Sequence, residues 1–170
     1  MACTIVQGNE LGCRDSVGGI ETIYITEFEN VTSITSSSGQ ISAITKSGGT
    51  SFKVFKLEKE NAEFTEAIQS SVENGTLFYE QTLTFTMKKM SASNRNNIRN
   101  IAQNRLMVIV KDNNGTYWVM GETRGADLTG DNSAKTGKAF GDMNGYTLTL
   151  VGKEPEPAKT YTGSISSLQS

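Results

Sequence analysis

The run from Thr76 to Met90, TLFYEQTLTFTMKKM, constrains the fold more than any other stretch of the chain. Side chains of an extended strand alternate between two faces. Leu77, Tyr79, Leu83, Phe85 and Met87 then share one face, and Phe78, Glu80, Thr82, Thr84, Thr86 and Lys88 share the other. One face is apolar and the other largely polar. A strand of this length and pattern belongs to a sheet with one face buried and one wet.

Other segments carry the same period. In GIETIYITEFENVT, Ile20, Thr22, Tyr24, Thr26 and Phe28 alternate with Glu21, Ile23, Ile25 and Glu27, so both faces are expected to find partners. SITSSSGQISAIT predicts a hairpin with a longer loop around Ser-Ser-Ser-Gly. TSFKVFKLEKE reads as a further strand. NAEFTEAIQSSV fits strand or helix, with strand preferred at its start, and Asn74-Gly75 turns the chain. One helix is predicted near 93–105, in SASNRNNIRNIAQNR. Ser91 or Ser93 serves as N-cap, and Ile98, Ile101, Ala102 and Leu106 lie on the inner side. LMVIV and TYWVMG predict a hairpin over 106–120 that holds the core, with Trp118 in or beside it. GYTLTLVG closes the series with Tyr146, Leu148 and Leu150 on one face. The two prolines of KEPEPAKT end the domain. The expected organisation is an arm at 1–19, one mainly β domain with one α-helix at 20–157, and a polar tail at 158–170.

Chemistry is limited by one absence: the chain has no histidine. Histidine is the usual general base near neutral pH. Ser-His-Asp and Cys-His arrangements are excluded, as are most catalytic zinc sites. The acidic run with Glu58, Glu60, Glu63 and Glu66 reads as a solvated face, and no catalytic residue is assigned. The expectation is a protein that is not an enzyme and takes neither cofactor nor metal. Cys3 and Cys13 lack the spacing and companions of a zinc site and are expected to be free thiols. The first nineteen residues lack the basic and apolar order of a secretion signal, which predicts a protein made in a reducing cytosol. No stretch is apolar enough to span a bilayer as a helix. With 16 basic and 18 acidic residues, the net charge of −2 gives no nucleic-acid footprint.

The segment 121–145, GETRGADLTGDNSAKTGKAFGDMNG, is rich in glycine and holds two decoys. GDNSAKTGKA resembles a P-loop, but six residues separate Gly130 from Gly137, and Ala139 stands where Ser or Thr is required. Asp127 and Asp131 lie in a run like a calcium loop without its spacing or closing Glu. A connection this long is either functional or a surface insertion. Arg124, Asp127, Leu128, Lys135, Lys138, Phe140 and Asp142 are therefore the candidate inter-subunit residues, on an arm expected to order only in an assembly.

Three stretches carry a resemblance: NGTLFYEQTLTFTMKKM, NRNNIRNIAQNRLMVIVKDNNGTYWVMG and GDMNGYTLTLVGKEPEPA. Their order of long strand, helix, hairpin, loop and closing strand resembles the tail tube proteins of tailed bacteriophages, over roughly residues 20–157. The resemblance implies a β-sandwich or curled, barrel-like sheet with a flanking helix. It also implies hexameric rings that stack into a channel, through which DNA passes without specific binding. The implied place is the virion tail, assembled from subunits made in the host cytoplasm, with no membrane role. Implied partners are further copies of the chain and other tail proteins such as sheath, tape measure, baseplate or connector. Two alternatives stay open: a β-sandwich binding module, or another virion component such as a connector ring, a decoration protein or a carbohydrate-binding protein.

Overall fold

A computed structural model of the chain describes residues 3–170. Its strands are β1 (Ile20–Glu27), β2 (Val31–Ser37), β3 (Gln40–Lys46), β4 (Lys53–Lys56), β5 (Ala62–Ser71) and β6 (Thr76–Lys88). After helix α1 (Ala92–Gln103) come β7 (Leu106–Asp112), β8 (Tyr117–Met120), β9 (Ala126–Leu128), β10 (Ser133–Lys135), β11 (Gly145–Glu154) and β12 (Thr160–Tyr161). A short helix α2 (Ile165–Gln169) follows. The protein is mainly β, with one main helix and a mixed, unclosed sheet. Strands run in the order β2-β3-β12-β8-β7-β9-β11-β6-β5, with β1 on β7 and β4, and β10 on β11.

Strand β7 explains why the core splits in two. Every residue from Leu106 to Val110 is buried, so both faces of the strand are covered. Leu106, Val108 and Val110 enter a first core with Ile23, Ile25, Leu83, Phe85, Leu148 and Leu150. Met107 and Ile109 enter a second with Tyr24, Ile41, Ile44, Phe52 and Leu168. Each such side chain contributes about 1.5–3 kcal/mol by leaving water.

Strict alternation fails at three register shifts, one in the β1–β7 pair and two in the β2–β3 pair. The β1–β7 register shifts between Ile20 and Thr22, which brings Ile20 into the first core beside Ile23 and Ile25. The β2–β3 register shifts between Thr35 and Ser36, so Ile41 and Ile44 share the second core although three positions apart. The β2–β3 connection is also tighter than expected. Ser38 and Gly39 form a two-residue turn with φ of +52° and +76°, the left-handed pair that matches strand twist.

Helix α1 begins as its sequence dictates. The Ser91 Oγ accepts a hydrogen bond from the Asn94 N–H at 3.2 Å, so Ser91 rather than Ser93 is the cap. Ile101 is buried and Ile98 packs on the first core, whereas Ala102 is exposed. The segment 62–71 is strand throughout, because β6 supplies a full antiparallel partner from Ala62↔Phe85 to Ser71↔Thr76. Trp118 is half-buried against the first core and donates its indole N–H to Asp112 Oδ2 at 3.0 Å.

The C-terminal segment departs from the expectation of a polar tail. Strand β12 lies between β3 and β8, Tyr161 and Leu168 are buried in the second core, and Ile165 packs on it. The Phe52 N–H donates to the Leu168 carbonyl at 2.8 Å. By contrast residues 3–18 are exposed and outside any strand or helix. Residues 1 and 2 of the expected N-terminal arm lie outside the described residues.

Candidate subunit interface

The glycine-rich segment starts from a fixed point. Gly121 has φ of +76°, and a Cβ there would stand 2.8 Å from the Leu106 carbonyl oxygen. Only glycine fits this approach to β7. The Gly121 N–H donates to Gln81 Oε1 at 3.2 Å. The Gln81 amide in turn donates to Glu66 Oε2 at 3.1 Å, which also accepts from the Ala158 N–H at 2.7 Å. Two residues further on, the buried Glu154 carboxylate accepts from the Thr123 and Arg124 N–H groups, the latter at 2.9 Å. Lys159 reaches Glu122 at 2.9 Å and Glu156 at 3.0 Å. Burial pulls the Lys159 ammonium down, but these two carboxylates outweigh it and leave its pKa raised.

The segment is therefore not structureless. Ala126 is fully buried, β9 pairs with both β7 and β11, and β10 pairs with the start of β11. Long-range pairing that local composition does not encode accounts for the difference.

The seven candidate residues separate into distinct places. Arg124 and Asp127 line one open groove of about 870 Å³ with Leu77, Phe78 and Lys153. Leu128 packs on the first core instead, so it serves the monomer. Lys135 ends β10 and is exposed. Lys138, Phe140 and Asp142 belong to one turn. The Asp142 carboxylate accepts from the Ala139 N–H at 2.8 Å and the Lys138 N–H at 2.9 Å. These bonds, Ala139 first, hold its pKa below the ordinary aspartate value. The turn presents Phe140 at 114% relative exposure, free of the rest of its chain.

Other exposed apolar side chains lie elsewhere on the surface. Ile5, Val6 and Leu11 are more than 90% exposed on the N-terminal segment. Ile68, Val72 and Leu77 stand out from the β5–β6 hairpin. Strand β5, ten residues long, pairs only with β6 and leaves its second edge open. A second groove, of about 650 Å³, opens between β5 and the β1–β7–β8 layer. It is lined by Ala62, Phe64, Val110 and Trp118, with Glu63, Glu66 and Asp112 around them.

Sequence reasoning missed the anchoring network of Glu66, Gln81 and Glu154. Gln81 did leave a signal, as a polar residue between Tyr79 and Leu83 on the apolar face of the long alternating run. Cys3 and Cys13 are exposed free thiols. Among the described residues no three His, Cys, Asp or Glu side chains are grouped to hold a metal ion, and no helix is long and apolar enough to cross a membrane.

These features define a mainly β protein that presents, among its described residues, an open edge of β5, an exposed N-terminal segment and a self-held turn. Compared with known proteins, the chain matches no family model, no curated protein and no solved structure.

Proposed function

We propose that the chain is a self-assembling structural subunit, and within that class a subunit of a phage tail tube whose stacked rings form a channel for DNA. The open edge of β5 carries this reading. A ten-residue edge strand that carries the exposed Ile68 is a template for a strand of another chain. Monomeric proteins shorten, charge or cover such edges, and joining edges around a ring covers them.

Two further features agree. The exposed segment 3–18 offers Ile5, Val6 and Leu11 to a neighbour. The outer face of the β6–β11 pair carries Thr82, Thr84 and Thr86 beside Thr147 and Thr149, with Thr84 and Thr149 hydroxyls 3.4 Å apart. Turned toward a channel, this face is wet and lacks the lysine and arginine density that would grip phosphates.

Negative-stain microscopy of the purified chain tests the reading. Rings or tubes with an axial channel support it. Single rings that never stack favour a connector component. Persistent monomers at high concentration refute self-assembly and favour the binding-module alternative.

A further inference from the structure

The turn that presents Phe140 and the groove that holds Trp118 are complementary, and we propose that they are the two halves of one contact between successive copies of the chain. The inference rests on the self-assembly reading above and names the surfaces that meet.

The groove is acidic around an apolar floor. Ala62, Phe64, Val110 and Trp118 line it, and three carboxylates surround them: Glu63, Glu66 and Asp112. Neither lysine nor arginine lines it. None of the three carboxylates is ion-paired among the described residues. Asp112 and Glu66 spend their hydrogen bonds on N–H groups, which leaves their negative charge uncompensated by any cation.

The turn carries a net positive charge. Phe140 is wholly exposed, Lys138 lies two residues before it and Lys135 five before it, and neither lysine is ion-paired among the described residues. The turn's own carboxylate, Asp142, accepts from the Lys138 and Ala139 N–H groups. A large aromatic side chain preceded by two unpaired lysines fits an aromatic floor rimmed by carboxylates. The geometry of the turn is already set by the two bonds to Asp142, so docking orders little new backbone. Phe140 is not buried against its own chain, so it is available to a neighbouring copy.

A contact between two different surfaces of the same chain is heterologous, and repeating it generates rings or filaments rather than a closed pair. Phe140 is the anchor, and the lysines set register and attraction.

The test uses the full chain. In sedimentation velocity across a concentration series, Phe140→Ala raises the half-assembly concentration about 30-fold or more, as loss of a central aromatic anchor does. Its circular dichroism stays that of the wild type. Lys138→Glu weakens assembly as well, and the difference shrinks in high salt. For location, Cys3 and Cys13 are first replaced by Ser. Copies with Phe140→Cys are then mixed with copies with Glu63→Cys. A mixed disulfide should form in excess of that from a control mixture of Phe140→Cys with Ser36→Cys. Wild-type assembly accompanied by unchanged assembly of Phe140→Ala, or by equal cross-linking in the control mixture, overturns the contact and leaves self-assembly standing. A wild-type chain that never assembles overturns both.

Discussion

Glu154→Ala is the sharpest probe of how the glycine-rich segment is held. Glu154 is 3% exposed, and its carboxylate accepts hydrogen bonds from the Thr123 and Arg124 N–H groups. Removing it strands two donors that now face a charged acceptor. A hydrogen bond to a charged group contributes about 1.5–3 kcal/mol. Thr123 and Arg124 are themselves exposed, so water recovers part of the loss. The expected destabilisation is about 2–4 kcal/mol. In a chain of this size each kcal/mol moves the melting temperature by about 2–4 °C, which gives a fall of roughly 4–16 °C. Glu154→Gln keeps an acceptor oxygen and the side-chain shape, and should lose about half as much. Thermal and urea unfolding followed by circular dichroism measure both, with an unchanged m value confirming that the comparison is fair. A Glu154→Ala melt within about 1 °C of the wild type would refute the reasoning, because the 121–125 turn would then be held by something else.

Leu168→Ala should cost about 2–5 kcal/mol in the same unfolding assay, because its side chain is 1% exposed in the second core; a neutral result would return the C-terminal segment to the status of a tail. Asp142 has a folded pKa below its ordinary value of 3.8, so its hold on the turn is fully present above that value and is lost as pH falls through the folded pKa. The amide resonances of Lys138 and Ala139 should therefore titrate with a midpoint below 3.8, and Asp142→Asn should abolish the transition; a midpoint at or above 3.8 contradicts this. Single cysteines at Thr82 and Thr84 in the Cys3→Ser/Cys13→Ser background should react with a polar thiol reagent in the monomer, and cysteines at Leu83 and Phe85 should not. Equal labelling of the two sets would show that β6 does not divide a core from a wet face.

Several elements were legible because their information is local. The period of two in β6 and β11, the Ser91 cap with Ile98 and Ile101 on α1, and the apolar runs of β7 and β8 all lie within a few residues of chain. Each names its own structure, because neighbours at i+2 or at i+3 and i+4 define the buried face. The absence of histidine likewise bounded the chemistry without any fold.

Tertiary structure alone decided what depends on a distant partner. Segment 62–71 is a strand because β6 lies beside it. Two of the register shifts reassign Ile20, Ile41 and Ile44 to faces that strict alternation denies them, because strand pairing sets where the extra residue falls. The glycine-rich segment gains β9 and β10 from its pairing with β7 and β11, while its Phe140 is left exposed, outside both cores. Buried Gln81 and Glu154 are tolerated only because N–H groups from 121–124 arrive to meet them, an encounter across 30 or more residues that no local pattern can announce. At the C-terminus the helical spacing of Ile165 and Leu168 was present in the sequence. It gained meaning only when the β2–β3 hairpin and Phe52 supplied an apolar surface to receive it.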